Sequence, residues 1–395
     1  MSHCELMSMA RASSQPQQGF LPLPFTLWPA ETRLLLGLVI TWSVFGLLVL
    51  SSASWWVSER EMGDALYTIK RQLIWMVASW GLFLLVIRSS IRRWMRLAAP
   101  ALLVGIVMIA LTLVMGTTVN GASRWLVLGP IQLQPTELIK PFVVLQGAML
   151  FAHWRRLGVE QRVLWLAVFA GVILLILKQP NLSTAALTGL LLWLIALASG
   201  LPLHWLVGTA GIGAVAGTLS ILINDYQRMR VTSFLDPWQD PMGNGYQLVQ
   251  SLLAIGSGGI SGSGYGLSTQ KLMYLPIQTT DFIFAVYAEE FGFIGSVMLL
   301  LFLLVFALMG LRVALRARGN QLRLVAIGCT ALLVGQSIMN IAVASGAMPT
   351  TGLPLPLVSY GGNSLLASLF TAGLLVRCSL ESTEPLSLSS QPLSS

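Results

Sequence analysis

Residues 282–310 read FIFAVYAEEFGFIGSVMLLLFLLVFALMG. The run carries only two charges, Glu289 and Glu290, both near its start. A bilayer's hydrocarbon core takes roughly 20 apolar residues to cross as a helix. This stretch exceeds that length without alternating apolar and polar positions. A membrane β-barrel strand would span about ten residues and alternate. The run therefore reads as a transmembrane helix.

Nine further segments have the same character, at about 34–55, 72–88, 97–115, 136–153, 162–178, 183–200, 203–223, 324–345 and 362–377. The 395-residue chain is 55% hydrophobic and only 10% charged, with a mean hydropathy of +0.77. A soluble domain is roughly 25% charged. The expected fold is all-α: a polytopic membrane protein of about ten transmembrane helices occupying residues 34–377.

The basic residues orient it. Arg88, Arg92, Arg93 and Arg96 follow the second segment. Arg155, Arg156 and Arg162 follow the fourth, and Arg312, Arg316, Arg318 and Arg323 follow the eighth. With ten spans these 11 of the 23 Lys and Arg lie on one side, which the positive-inside bias makes the cytoplasm. Both termini then face inward. The net charge of +8 thus reflects topology, and nucleic acid is not an expected partner. Residues 1–33 lack the charged start and compact apolar core of a signal peptide and read as a flexible cytoplasmic tail. The Ser- and Pro-rich residues 378–395 read as a disordered one. Three cysteines and three histidines are scattered without disulfide or metal-site spacing.

The outer side receives a long connection between helices seven and eight, residues 224–281. Its middle, GYQLVQSLLAI, suits a short amphipathic helix. The following GSGGISGSGYG reads as a flexible turn region. It lacks the strand-then-helix setting of a phosphate-binding loop.

Charges inside a membrane are costly and usually face a cavity or a partner. Glu137 and Lys140 are three apart on a helix and can pair, either to lock helices or to serve a site. Asp281 heads the apolar run after Thr279 and Thr280. Two roles suit it there: a helix N-cap, or a general base open to the outer face. Arg228, Arg230 and Lys271 fall on the outer side, against the topological bias. They suit either headgroup snorkelling or an anionic lipid-linked pyrophosphate. Glu289 and Glu290 are expected to be structural.

Five stretches then resemble one family. They are NGASRWLVLGPIQLQPTELIK (120–140), QPNLSTA (179–185), RVTSFLDPWQDPMGNGYQLVQSLLAIGSGG (230–259), QKLMYLPIQTTDFIFAVYAEEFGFIG (270–295) and MPTTGLPLPLVSYGGNS (348–364). In order, over residues 34–377, they resemble the SEDS proteins (shape, elongation, division and sporulation), typified by FtsW, RodA and SpoVE. The resemblance implies a ten-helix enzyme of the bacterial inner membrane. It would be a peptidoglycan glycosyltransferase polymerising lipid II into β-1,4 glycan strands at the outer face. It makes Asp281 the catalytic residue, and Arg124, Glu137, Lys140, Ser359, Tyr360 and Gly361 the matching positions of the other motifs. PWQDP and STQKLMYLP favour the division branch and a septal location. A RodA-type elongation polymerase and a lipid II flippase or transporter are the alternatives. The implied partners are lipid II, the undecaprenyl-pyrophosphate-linked glycan, a class B penicillin-binding protein and divisome regulators. Basic residues or a divalent cation (Mg or Mn) would stabilise the leaving pyrophosphate, with no metal ligands assigned in the chain. Asn181 stands where the family often has Asp, so the acid partner for Lys140 that the resemblance implies is absent. Thr351 stands where many FtsW proteins have Lys.

Overall fold

The computed structural model describes residues 28–119, 122–129, 131–272 and 274–383. These form twelve helices and one small sheet. The helices are α1 (Ala30–Met62), α2 (Tyr67–Arg88), α3 (Ile91–Met115), α4 (Pro135–Ala152), α5 (Val159–Lys178), α6 (Leu182–Ala198), α7 (Leu203–Ile223), α8 (Asp225–Leu235), α9 (Tyr246–Ser257), α10 (Ile283–Arg316), α11 (Asn320–Ala344) and α12 (Gly362–Thr383). Among the described residues, eight helices are long and apolar enough to cross a membrane, and α6 is a shorter apolar helix. The protein is a multi-pass helical membrane protein. α12 is the axis of the bundle, buried along nearly its whole length, whereas α7 leaves almost every side chain outward. α2, α4, α10 and α11 pack around α12.

The ends of the helices identify one pole of the bundle. Glu31 at the start of α1 pairs with Arg316 at the end of α10, 2.6 Å apart. Thr32 and Ser379 share a 2.7 Å hydrogen bond. Arg377 donates to the Ile87 carbonyl at the end of α2, and Glu381 accepts from the Ile91 amide at the start of α3. Each charge thus complements a helix end, cation at the carbonyl terminus and carboxylate at the amide terminus. Arg323 donates to the Ala198 carbonyl. The arginine-rich turns and both ends of the described chain therefore meet at the same pole, far along the helices from Asp281.

These contacts also move the expected tail boundaries. Trp28 is buried and α1 begins at Ala30, inside the tail expected over residues 1–33. α12 runs on to Thr383, past residue 378, because Cys378 and Leu380 pack into the core and Ser379 holds Thr32. The rest of the two expected tails, residues 1–27 and 384–395, lies outside the described residues.

At the opposite pole three strands form an antiparallel sheet, β1 (Thr117–Val119), β2 (Ala122–Leu128) and β3 (Ile131–Leu133), in that order. Its strands were not expected from sequence. Two of them are three residues long, too short for a period-2 pattern to stand out. The sheet leads into α4, which opens with Pro135 in its first turn, where a missing N–H costs nothing.

α10 is broken. Gly292 has φ 66° and ψ −162°, a conformation closed to most side chains. The backbone groups freed by the break are paired by the glycine-rich loop. The Glu289 and Glu290 carbonyls accept from the Ser263 and Gly264 amides, each at 3.0 Å. The Phe293 and Ile294 amides donate to the Gly259 and Ile260 carbonyls at 2.9 and 3.1 Å. A Cβ at Gly258 would lie 2.2 Å from the Ala288 carbonyl oxygen, and one at Gly262 would lie 2.2 Å from that of Glu290. GSGGISGSGYG is thus a fitted insert in a helix break, not the flexible turn expected. Gly258 and Gly262 serve this close backbone approach. Before it, α9 forms where the amphipathic stretch was expected.

Candidate active site

Asp281 precedes α10 and does not cap it. The N-cap position is Phe282, with no side-chain cap bond. Among the described residues the half-buried Asp281 carboxylate has no hydrogen-bond or ion-pair partner. Its backbone is held firmly instead. Three successive carbonyls are each claimed by another part of the chain. Thr279 accepts from the Tyr360 amide at 2.8 Å. Thr280 accepts from the Ser359 hydroxyl at 2.6 Å. Asp281 accepts from the Asn340 side-chain amide at 2.8 Å. The acid is fixed by its main chain and left open at its side chain.

Two guanidinium groups act on it. Arg124, on β2, donates to the Pro180 carbonyl at 2.7 Å and to that of Gln179 at 3.4 Å. Arg230, in the middle of α8, donates to the Thr350 carbonyl at 3.0 Å and lies 4.6 Å over the Tyr226 ring. Burial pushes the Asp281 carboxyl up to about 6. Arg230 and Arg124 pull it down, and the Glu137 charge adds to the upward push. Desolvation outweighs both cations because neither forms an ion pair with the carboxylate.

Beside the acid lies a cavity of about 180 Å³. Arg124 and Arg230 line it, together with Thr350 and Thr351. The rest of its lining sets the polar Asn181, Ser183 and Gln227 among apolar residues that include Leu182, Ile221, Val231 and Met339. Asp281 itself is not in the lining; the two arginines are shared between cavity and carboxylate. A cavity that offers two cations within a largely apolar lining suits an anion attached to a lipid.

The remaining expected residues separate into two groups. Glu137 and Lys140 are closed on each other at 2.6 Å, both buried, with Lys140 also donating to Gln336 at 2.6 Å. Gln336 in turn donates to the Pro354 carbonyl at 2.9 Å. The lysine therefore keeps an acidic partner without an acid at position 181. Asn181 serves as the N-cap of α6, accepting from the Thr184 amide. Ser359 is buried, donating to Thr280 and accepting from the Leu355 amide at 2.8 Å, so it braces the acid and is not free for a substrate. Tyr360 contributes its backbone amide. The Gly361 amide is held by Gln72 at 3.3 Å.

Two basic residues expected at the site are elsewhere. Arg228 points outward and pairs with Asp225, its side chain 56% exposed. Lys271 is buried and paired with Glu290 at 2.8 Å, with the Ser52 hydroxyl at 3.0 Å. A buried ammonium needs its counter-charge, so Lys271 is not available to a pyrophosphate. Glu289 accepts from the Thr269 amide and hydroxyl and the Gln270 amide, and also from Ser268. Both glutamates are structural, pinning the loop before Asp281 to the first half of α10.

Asn340 and Gln336 escaped the sequence reading. They stand four apart, on one face of α11. The signal that could have found them is polarity: two amides inside an otherwise apolar helix. Among the described residues there is no group of three or more His, Cys, Asp or Glu able to hold a metal ion. A cation here would meet one free carboxylate between two guanidinium groups, so the residues present do not make a protein metal cage.

The FtsW/RodA/SpoVE family, described as "Cell cycle protein", matches residues 32–384. The chain is 52% identical over 358 residues to the probable peptidoglycan glycosyltransferase FtsW of Synechocystis sp., covering 90% of this chain and 91% of that one. It is 45% identical over 354 residues to the putative peptidoglycan glycosyltransferase FtsW of Mesostigma viride, covering 90% and 85%. Among solved structures it resembles a chain of a peptidoglycan synthase complex that coordinates polymerization and crosslinking, with TM-score 0.74 and 32% identity over 90% of this chain and all (100%) of that one. It also resembles the rod shape determining protein RodA of Thermus thermophilus, with TM-score 0.66 and 29% identity over 90% and 97%. By sequence along nearly its whole length, and by fold, the chain belongs to the FtsW/RodA/SpoVE family of cell cycle proteins.

Proposed function

We propose that this protein is a peptidoglycan glycosyltransferase of the FtsW type, which polymerises lipid II during cell division. The observation that carries the reading is the free Asp281 carboxylate, tethered through three carbonyls and set between Arg124 and Arg230 beside an amphiphilic cavity. The names of its relatives support the activity and the division role.

The acceptor sugar's 4-hydroxyl attacks the anomeric carbon of the lipid-linked glycan. As the new C–O bond forms, the bond to the pyrophosphate oxygen breaks and that oxygen keeps the electron pair. Asp281 takes the hydroxyl proton. Its pKa of about 6 makes it a stronger base than an ordinary carboxylate while leaving it mostly ionised at neutral pH. Arg124 and Arg230, oriented by backbone carbonyls, keep further N–H donors for the departing pyrophosphate. Pyrophosphate is a good leaving group, so a second carboxyl acting as acid is unnecessary, unlike in a glycoside hydrolase. Displacement is direct and inverts the anomeric centre.

The pole bearing Asp281 is the outer face of the bacterial inner membrane, and the arginine-rich pole is the cytoplasmic one. Ten helices cross, with α8 and α9 lying in the outer connection. The likeness to a synthase complex that couples polymerization to crosslinking supports a class B penicillin-binding protein as partner at the septum. Divisome regulators complete the assembly.

Purified protein in liposomes, given labelled lipid II, tests the activity. Glycan strands should appear. Movement of lipid II between leaflets without any glycan product would instead make the protein a transporter.

A further inference from the structure

Asn340 is fully buried, one turn before the end of α11. Its Nδ2 makes two hydrogen bonds of 2.8 Å, to the Asp281 carbonyl and to the Leu353 carbonyl. Carbonyls only accept, so these bonds fix which end of the amide is which. The Oδ1 atom is left buried with no partner. A buried orphan acceptor is unfavourable, and a side chain serving packing alone has no need to keep one.

Leu353 follows Gly352, which has φ +72°. A Cβ at Gly352 would stand 3.6 Å from both Oδ2 of Asp281 and Nη1 of Arg124. The 352–353 backbone is therefore the wall against which the carboxylate rests. One amide holds the main chain of the acid and the main chain of its wall. Gln336, a turn earlier, holds the adjacent Pro354 carbonyl, so this face of α11 is a rigid support for the wall. Groups set on a helix are held more exactly than groups set on loops.

We propose that Asn340 is a positioning residue for glycosyl transfer, acting through Asp281 by keeping its carboxylate against the Gly352 wall and aligned with the reacting hydroxyl. It touches no substrate. The inference rests on Asp281 being the base.

The test compares Asn340→Asp, which keeps the volume but not the two-donor amide, and Asn340→Ala with the wild type. Ser337→Ala is the control: Ser337 is buried on the same helix, and its hydroxyl bonds only its own helix, at the Leu333 carbonyl. Polymerisation of lipid II is read as kcat, KM and a pH–rate profile. Both Asn340 variants should lose roughly 10–100-fold in kcat with KM within about threefold, the loss expected of a small misplacement of a reacting group. In Asn340→Ala, which adds no charge, the acid limb should move to lower pH, because a released carboxylate turns toward the two arginines. Ser337→Ala should match the wild type. An unshifted acid limb in Asn340→Ala, a change confined to KM, or failure of both variants to fold while Ser337→Ala folds would overturn the proposal. Full activity in Asp281→Asn would overturn the base itself; an inactive Asp281→Asn beside fully active Asn340 variants overturns only the tether.

Discussion

The Ser359 hydroxyl donates a 2.6 Å hydrogen bond to the Thr280 carbonyl, the residue before the acid, and accepts one from the Leu355 amide. Ser359→Ala strands two backbone groups at once. Each unpaired buried group costs about 1–3 kcal/mol, so thermal melting should fall by several degrees and polymerisation should fall with it. Tyr360→Phe keeps the backbone amide that holds Thr279 and should leave both measurements near wild type.

Arg124 and Arg230 pull the Asp281 pKa down, whereas Arg228 is exposed on Asp225. Alanine at position 124 or 230 should move the acid limb of kcat upward from about 6 and raise KM for lipid II. Arg228→Ala removes an exposed pair worth roughly 0–1 kcal/mol and should change neither. A pH–rate series on the three variants checks this contrast.

The same carboxyl makes a stability prediction. Its folded pKa, about 6, lies above its ordinary value of 3.8. The folded state therefore holds the proton more tightly than the unfolded one. Stability from this group is full below pH ~4 and is lost as pH rises through ~6. Asp281→Asn should melt higher than wild type at pH 7.5, by an amount on the order of 2 kcal/mol, and the gain should vanish near pH 4. Thermal melts of the two proteins across that range measure it.

Gly258 and Gly256 lie two apart, but only Gly258 touches the broken helix. A Cβ there meets the Ala288 carbonyl at 2.2 Å, while one at Gly256 meets nothing within 4 Å. Gly258→Ala should cost about 1–3 kcal/mol by overpacking and disturb the half-helix that follows Asp281. Gly256→Ala, inside α9, should be neutral or slightly stabilising. Paired melting curves separate the two.

Local pattern carried most of the architecture. The apolar run 282–310 announces α10, and the arginine turns at 88–96, 153–162 and 312–323 do meet at one pole. What escaped was long-range pairing. Lys271 looked free because its partners, Glu290 and Ser52, stand 19 and 219 residues away. Asp281 resembled a helix cap because a carboxylate beside threonines at a helix start usually is one. Its freedom depends on Asn340, Ser359 and Tyr360, which hold the backbone from other segments. The glycine-rich loop looked flexible because nothing local reveals a break at Gly292 waiting to be filled.

The most direct measurement is lipid II polymerisation by purified wild type and Asp281→Asn, assayed side by side from pH 5 to 8 with folding verified by melting. The wild-type rate should climb through about pH 6, and the folded variant should make no glycan at any pH. Glycan made by Asp281→Asn at the wild-type rate would contradict the role of Asp281 as base.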